Sequence, residues 1–170
     1  TIPATDTPVP SVTPTPSLDI VTLPLQIESE DGWTLIVESI EQLPSIDTDT
    51  KRYRPENGIF AVLTGTLGNF TDENECLTGD RVALVDSSGN QYDMNADLLD
   101  ALKSKYDRDY PGFFLGQCLD YDATDETFLV FDVPERSSLA LKLNDTSVHI
   151  GQMEAYQPVV SLETPTALPE

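Results

Sequence analysis

Apolar and polar positions alternate along most of the chain with a period of two, the spacing of a half-buried β-strand. Trp33, Leu35 and Val37 share one face of such a segment, and Trp33 reads as core. Leu139, Leu141 and Leu143 alternate with Ala140, Lys142 and Asn144, and Val148–Ile150 extends or follows that strand. Leu23–Ile27 opens the series. Gly58–Leu67 (GIFAVLTGTL) is apolar on both faces at its start, which predicts a central strand covered on both sides. Val82–Val85 predicts a short strand, Asp86–Asn90 a turn around Gly89, and Gln91–Met94 the returning arm of a hairpin. Phe128–Val133 is a further strand, stopped by Pro134.

One segment has helical spacing instead. Leu98, Leu99, Leu102 and Tyr106 fall on one helical face. Asn95 or Asp97 can cap its start, and Lys103, Lys105 and Arg108 come late, where they complement the helix dipole. Such a helix is expected to pack across an open end or edge of the strands. The predicted fold is all-β: an immunoglobulin-like antiparallel β-sandwich of about seven strands with one short helical insertion. Regular strand–helix alternation is absent from the pattern, which argues against a parallel α/β sheet.

Composition sets the boundaries. The chain opens TIPATDTPVPSVTPTPS and ends ETPTALPE. Neither end can bury apolar area or sustain a ladder, so both read as extended tethers, with O-glycosylated stalks as a precedent for the composition. The expected division is a Thr/Pro-rich stalk over 1–20, a sandwich over 21–157 and a Pro/Thr-containing tail over 158–170. No apolar run approaches the roughly 18 residues that span a bilayer. The lack of an initiating Met and leader pattern makes the chain look like a mature or trimmed form, with any export signal or lipid anchor removed. Thirty acidic residues face nine basic ones, a net charge of −21. Nucleic acid and anionic lipid are both repelled by such a field.

Cys76 and Cys118 fit neither redox nor zinc spacing. An even count in an apparently exported chain suggests one disulfide, the alternative being two buried thiols. A bridge closing residues 76–118 would constrain the unfolded chain by roughly 4 kcal/mol in the loop-entropy model.

Four segments together resemble a known family. They are Gly58–Leu67 followed by Gly68-Asn69-Phe70-Thr71; Leu84–Tyr92 (LVDSSGNQY); Phe128–Pro134 (FLVFDVP); and Leu139–Leu143 (LALKL). In order and spacing, the region from Trp33 to about Gly151 resembles the bacterial extracytoplasmic immunoglobulin-like family called DUF4352, related to a small secreted mycobacterial antigen. Pro111-Gly112 departs from that pattern, lying well upstream of the Phe128 strand, with Cys118 and an acidic run between. The resemblance implies secreted proteins and lipoproteins, frequently behind Thr/Pro-rich linkers, with no shared enzymatic activity.

No residue set carries chemistry on its own. The single histidine, His149, lies on a predicted strand without a nucleophile elbow, so it reads as a surface or structural residue. Paired carboxylates are uninformative in so acidic a chain. Two acidic clusters have the density that calcium requires: Asp72, Glu73, Glu75 and Asp80, then Asp120, Asp122, Asp125 and Glu126. A Cys76–Cys118 bridge would bring them near each other; the plainer reading is a solvated rim. Lys51-Arg52-Tyr53-Arg54 could dock an anionic partner or the acidic face of a second copy, or simply balance local acids. Tyr106, Tyr110, Phe113 and Phe114, with Tyr121 nearby, form a candidate glycan platform or pin the insertion to the sandwich. Asn69-Phe-Thr71 and Asn144-Asp-Thr146 match the N-glycosylation triplet.

The expected function is a non-catalytic extracytoplasmic interaction or structural module, an extracellular or cell-surface domain on a flexible stalk. It would engage a protein partner or assemble with itself. The alternative is a carbohydrate- or calcium-binding accessory module. No cofactor, nucleic acid or membrane insertion is expected, calcium remaining the open case.

Overall fold

A computed structural model describes residues 22–153, apart from 96, 100 and 103–117. Twelve strands follow in chain order: β1 (Leu25–Glu28), β2 (Trp33–Leu43), β3 (Ile46–Asp47), β4 (Arg52–Tyr53), β5 (Ile59–Asn69), β6 (Glu75–Cys76), β7 (Val82–Asp86), β8 (Gln91–Asp93), β9 (Cys118–Leu119), β10 (Ala123–Val133), β11 (Ser138–Leu143) and β12 (Thr146–Gln152). Eight of them build two antiparallel sheets, ordered β1-β2-β5-β10 and β12-β11-β7-β8. The sheets stack as the immunoglobulin-like sandwich expected from the sequence. β1 lies against β12 at one margin, and at the other Met94 bridges to Phe131, linking the β8 side to β10. Two short ribbons, β3–β4 and β6–β9, complete the strands among the described residues.

The core forms where period-two faces meet. Trp33, Leu35, Val37, Ala61, Leu63, Leu67, Leu129, Phe131 and Val133 point inward from the first sheet, against Val82, Leu84, Leu139, Leu141, Leu143 and Ile150 from the second. Trp33 is wholly buried, as its place on the alternating face requires.

β5 is covered on both sides, and the second cover explains its all-apolar start. The helical segment, described at 97–99 and 101–102, does not close an end or edge of the sandwich as anticipated. It lies on the outer face of the first sheet. There Leu98, Leu99, Ala101 and Leu102 bury Phe60, Val62, Phe128 and Val130, together with Leu43 and Ile46. The physical reason is the outward column of β5 and β10, which is apolar at this end and needs a lid.

β2 passes a register shift between Val37 and Ser39 opposite β5. A Cβ on Gly65 would come 1.8 Å from the Ile36 carbonyl oxygen, so only glycine lets the strands approach this closely.

Candidate functional site

Strand registers place several loops at one end. Trp33 pairs with Asn69, and Asn69 with Ala123. The β1–β2 turn, the β5–β6 loop, the β9–β10 turn, the approach to β7 and the β11–β12 turn therefore gather at a single pole. These segments carry Glu30, Asp31, Asp72, Glu73, Glu75, Asp80, Asp120, Asp122 and Asp145, with Arg81 as the cation among them.

Asn69 is the knot of this pole. Its side chain is fully buried. Its amide donates to the carbonyls of Glu73 at 3.0 Å and Leu119 at 2.7 Å, and its Oδ1 accepts from the Thr71 N–H and hydroxyl. The Asn69-Phe-Thr71 triplet is thus a structural turn, and its amide nitrogen is enclosed rather than open to a sugar. Asp122 donates its N–H to the Asn69 carbonyl, and Tyr121 donates its N–H to Asn74 Oδ1.

Cys76 and Cys118 are joined in a disulfide, directly opposite each other on β6 and β9. The bridge brings the two acidic segments side by side, as the sequence led us to expect. Their carboxylates do not converge: among the described residues, no three acidic, histidine or cysteine side chains are grouped to hold a metal ion. Asp72, Glu73, Asp120 and Asp122 are exposed and Asp125 is half-buried.

Glu75 has a different environment. Its Oε2 accepts from the Trp33 indole at 3.0 Å and its Oε1 from Arg81 at 3.3 Å. Arg81 also ion-pairs with Asp31 and donates through Nε to Asn144 Oδ1 at 2.6 Å. The Asn144 amide in turn donates to both oxygens of Asp31 at 2.8 and 2.9 Å. Partial burial opposes ionisation of Asp31, but the Ser29 hydroxyl, Asn144 and Arg81 outweigh it and hold its carboxyl below the usual value. An open cavity of about 530 Å³ lies over this network, lined also by Glu30, Asp80, Lys142 and Asp145. Sequence reading missed Arg81 as a hub; the signal was a lone cation between an acidic loop and a strand.

The basic cluster lies at the far end, on the β3–β4 ribbon. Arg52 makes a two-pronged pair with Asp47 at 2.6 and 2.8 Å, and Lys51 sits 4.2 Å from the Tyr53 ring centre. Both contacts are local to the ribbon. The cavity beside it, about 790 Å³, also has Glu56, Asp97 and Asp132 in its wall, so it is mixed in charge. His149 is exposed on β12. The aromatic group Tyr106, Tyr110, Phe113 and Phe114 lies outside the described residues, as do both tethers. No helix among the described residues is long and apolar enough to cross a membrane.

No family model and no curated protein matches the chain. A crystal structure described as that of a conserved hypothetical protein from Bacillus anthracis is similar, with a TM-score of 0.55 at 14% identity. The likeness covers 75% of this chain and 93% of that one, and at this identity it shows the shared sandwich fold alone.

Proposed function

We propose that this chain is a non-catalytic interaction module of the cell exterior that presents its acidic pole to a basic surface on a protein partner. The observation that carries the reading is the geometry of that pole. Loops from both sheets meet there, are fixed by the buried Asn69 and by the Cys76–Cys118 disulfide, and direct their carboxylates outward. Fixed loops on a rigid sandwich are a common means of recognition, because the scaffold bears the ordering cost in advance. A disulfide persists in oxidising compartments, which supports the external location, as do the Thr/Pro-rich ends. Membership of the DUF4352 family is consistent with this assignment and is part of the proposal. Self-assembly is the weaker form of the reading, since a net charge of −21 drives copies apart.

Photo-crosslinking tests the proposal. A benzoylphenylalanine placed at Asp72 or Asp122 should capture a discrete protein on cells that express the full chain. The same probe at Ser87, on the far end, should not. Equal capture from both ends, or none from the pole, would overturn it. Calcium binding is a second reading, favoured by the adjacency of the two acidic segments. It predicts a rise in melting temperature with calcium chloride that magnesium or sodium chloride at equal ionic strength does not reproduce.

A further inference from the structure

The outer face of the β1-β2-β5-β10 sheet divides at Thr64. On one side lie Phe60, Val62, Phe128 and Val130, buried under the helical segment. On the other, the outward column of β5 continues through Thr66 and Gly68 to Phe70 just beyond the strand, a residue 47% exposed. This half is a shallow groove of about 360 Å³.

Phe70 is held in place. Its N–H donates to the Gly32 carbonyl at 2.9 Å. Gly32 adopts φ 95°, and a Cβ there would come within 2.7 Å of the Phe70 carbonyl oxygen. The ring lies over Gly68, where a Cβ would sit 2.6 Å from Cε2. The glycine thus opens a seat for the ring on the sheet and leaves its other side to solvent. Around it the registers align two rows across the strands. Glu28, Thr34, Gly68 and Thr124 form one, and Gln26, Ile36, Thr66 and Glu126 the next.

We propose that this groove is a binding subsite for a neutral oligosaccharide, with Phe70 as the stacking platform. A pyranose has one apolar C–H face and a rim of hydroxyls. The seated ring matches the first, because an aromatic face gains most from flat apolar contact. The hydroxyls of Thr34, Thr66 and Thr124, the Gln26 amide and the Glu28 carboxylate match the second, since they supply both donors and acceptors. The charge of the lining selects against other occupants. Neither Lys nor Arg lines the groove, so a phosphate or an acidic sugar meets no counter-charge. Across the middle of the groove a peptide cannot add as a strand, because β2 and β5 are inner strands with partners on both sides. A volume near the lower limit for small-ligand sites suits one or two sugar units of a longer chain. Phe70 belongs to the β5–β6 loop at the rim of the pole, but the groove opens on the sheet face. Sugar titration and protein crosslinking are separate readouts, so the subsite and the protein-partner reading can fail independently.

The experiment is calorimetric and NMR titration of the full chain with cellohexaose, xylohexaose, mannohexaose and chitohexaose. At least one should bind saturably. Phe70→Ala should weaken that binding by about tenfold or more, and Phe70→Trp should retain it. Thr124→Ala, at an exposed position, serves as an independent variant and should weaken it severalfold. Unchanged emission from the single, buried Trp33 reports that Phe70→Ala and Thr124→Ala are folded, and unchanged dispersion of the amide NMR spectrum reports it for Phe70→Trp. Absence of binding across the panel, binding that survives Phe70→Ala, or binding of choline in place of any sugar would each overturn the subsite.

Discussion

Asn69 makes four side-chain hydrogen bonds without exposure to water, which concentrates much of the pole's order in one residue. Replacing it with alanine removes the amide donor to the Leu119 and Glu73 carbonyls and the acceptor of Thr71 at a buried position, so Asn69→Ala should cost about 3 kcal/mol in urea unfolding. Asn69→Asp should cost more at neutral pH, because a carboxylate would face two carbonyl oxygens. Gly65→Ala forces a Cβ into the backbone of β2 and should cost at least about 3 kcal/mol. Asp86 offers a pH test. The Asn90 side chain holds its carboxyl down to about 2 against some desolvation, helped by backbone N–H groups and the Tyr92 hydroxyl. A depressed folded value contributes stability that is fully present above the ordinary value of 3.8 and is lost as pH falls through about 2. The gap in urea midpoint between the parent and Asp86→Asn should therefore shrink over that window; a gap that stays constant from pH 5 downward would refute the assignment.

Among elements, the long strands were legible because burial on one or both faces writes itself into period two. The Leu139–Leu143 alternation and the doubly apolar start of β5 needed nothing more. The upstream half of β10 was not legible: Thr124, Asp125 and Glu126 carry no apolar signal, and only pairing with Gly65–Asn69 makes them strand. β6 and β9 are two-residue pieces whose pairing depends on the disulfide partners facing each other, a tertiary fact. The helical pattern was visible, yet its docking place was not, since the alternation that marks β5 as doubly buried does not say by what. The pole's residues were counted by density, which could not separate Glu75, tied to Trp33 and Arg81, from its exposed neighbours. Two tests belong at this scale. Leu102→Ala should destabilise by about 2–5 kcal/mol, because it opens the second apolar cluster under the helical segment. Reduction of Cys76–Cys118 should lower stability by up to about 4 kcal/mol, and Trp33 emission should shift, because its indole is bonded to the residue next to Cys76.

For the whole molecule, charge works against the fold. Thirty acids in 170 residues repel one another, most densely at the pole, where Arg81 is the local counter-charge. Raising sodium chloride from about 10 mM to about 150 mM should raise the melting temperature by screening that repulsion. Arg81→Gln should deepen the salt dependence, since it removes the cation that Asp31 and Glu75 share. β1 runs toward the pole and β12 runs away from it along the same margin. The sandwich is thus entered and left side by side, at the end opposite the pole. It has the wiring of a plug-in cassette: spliced into a surface loop of an unrelated host, it could fold without prising that host apart, and it would point its charged crown outward from whatever carries it.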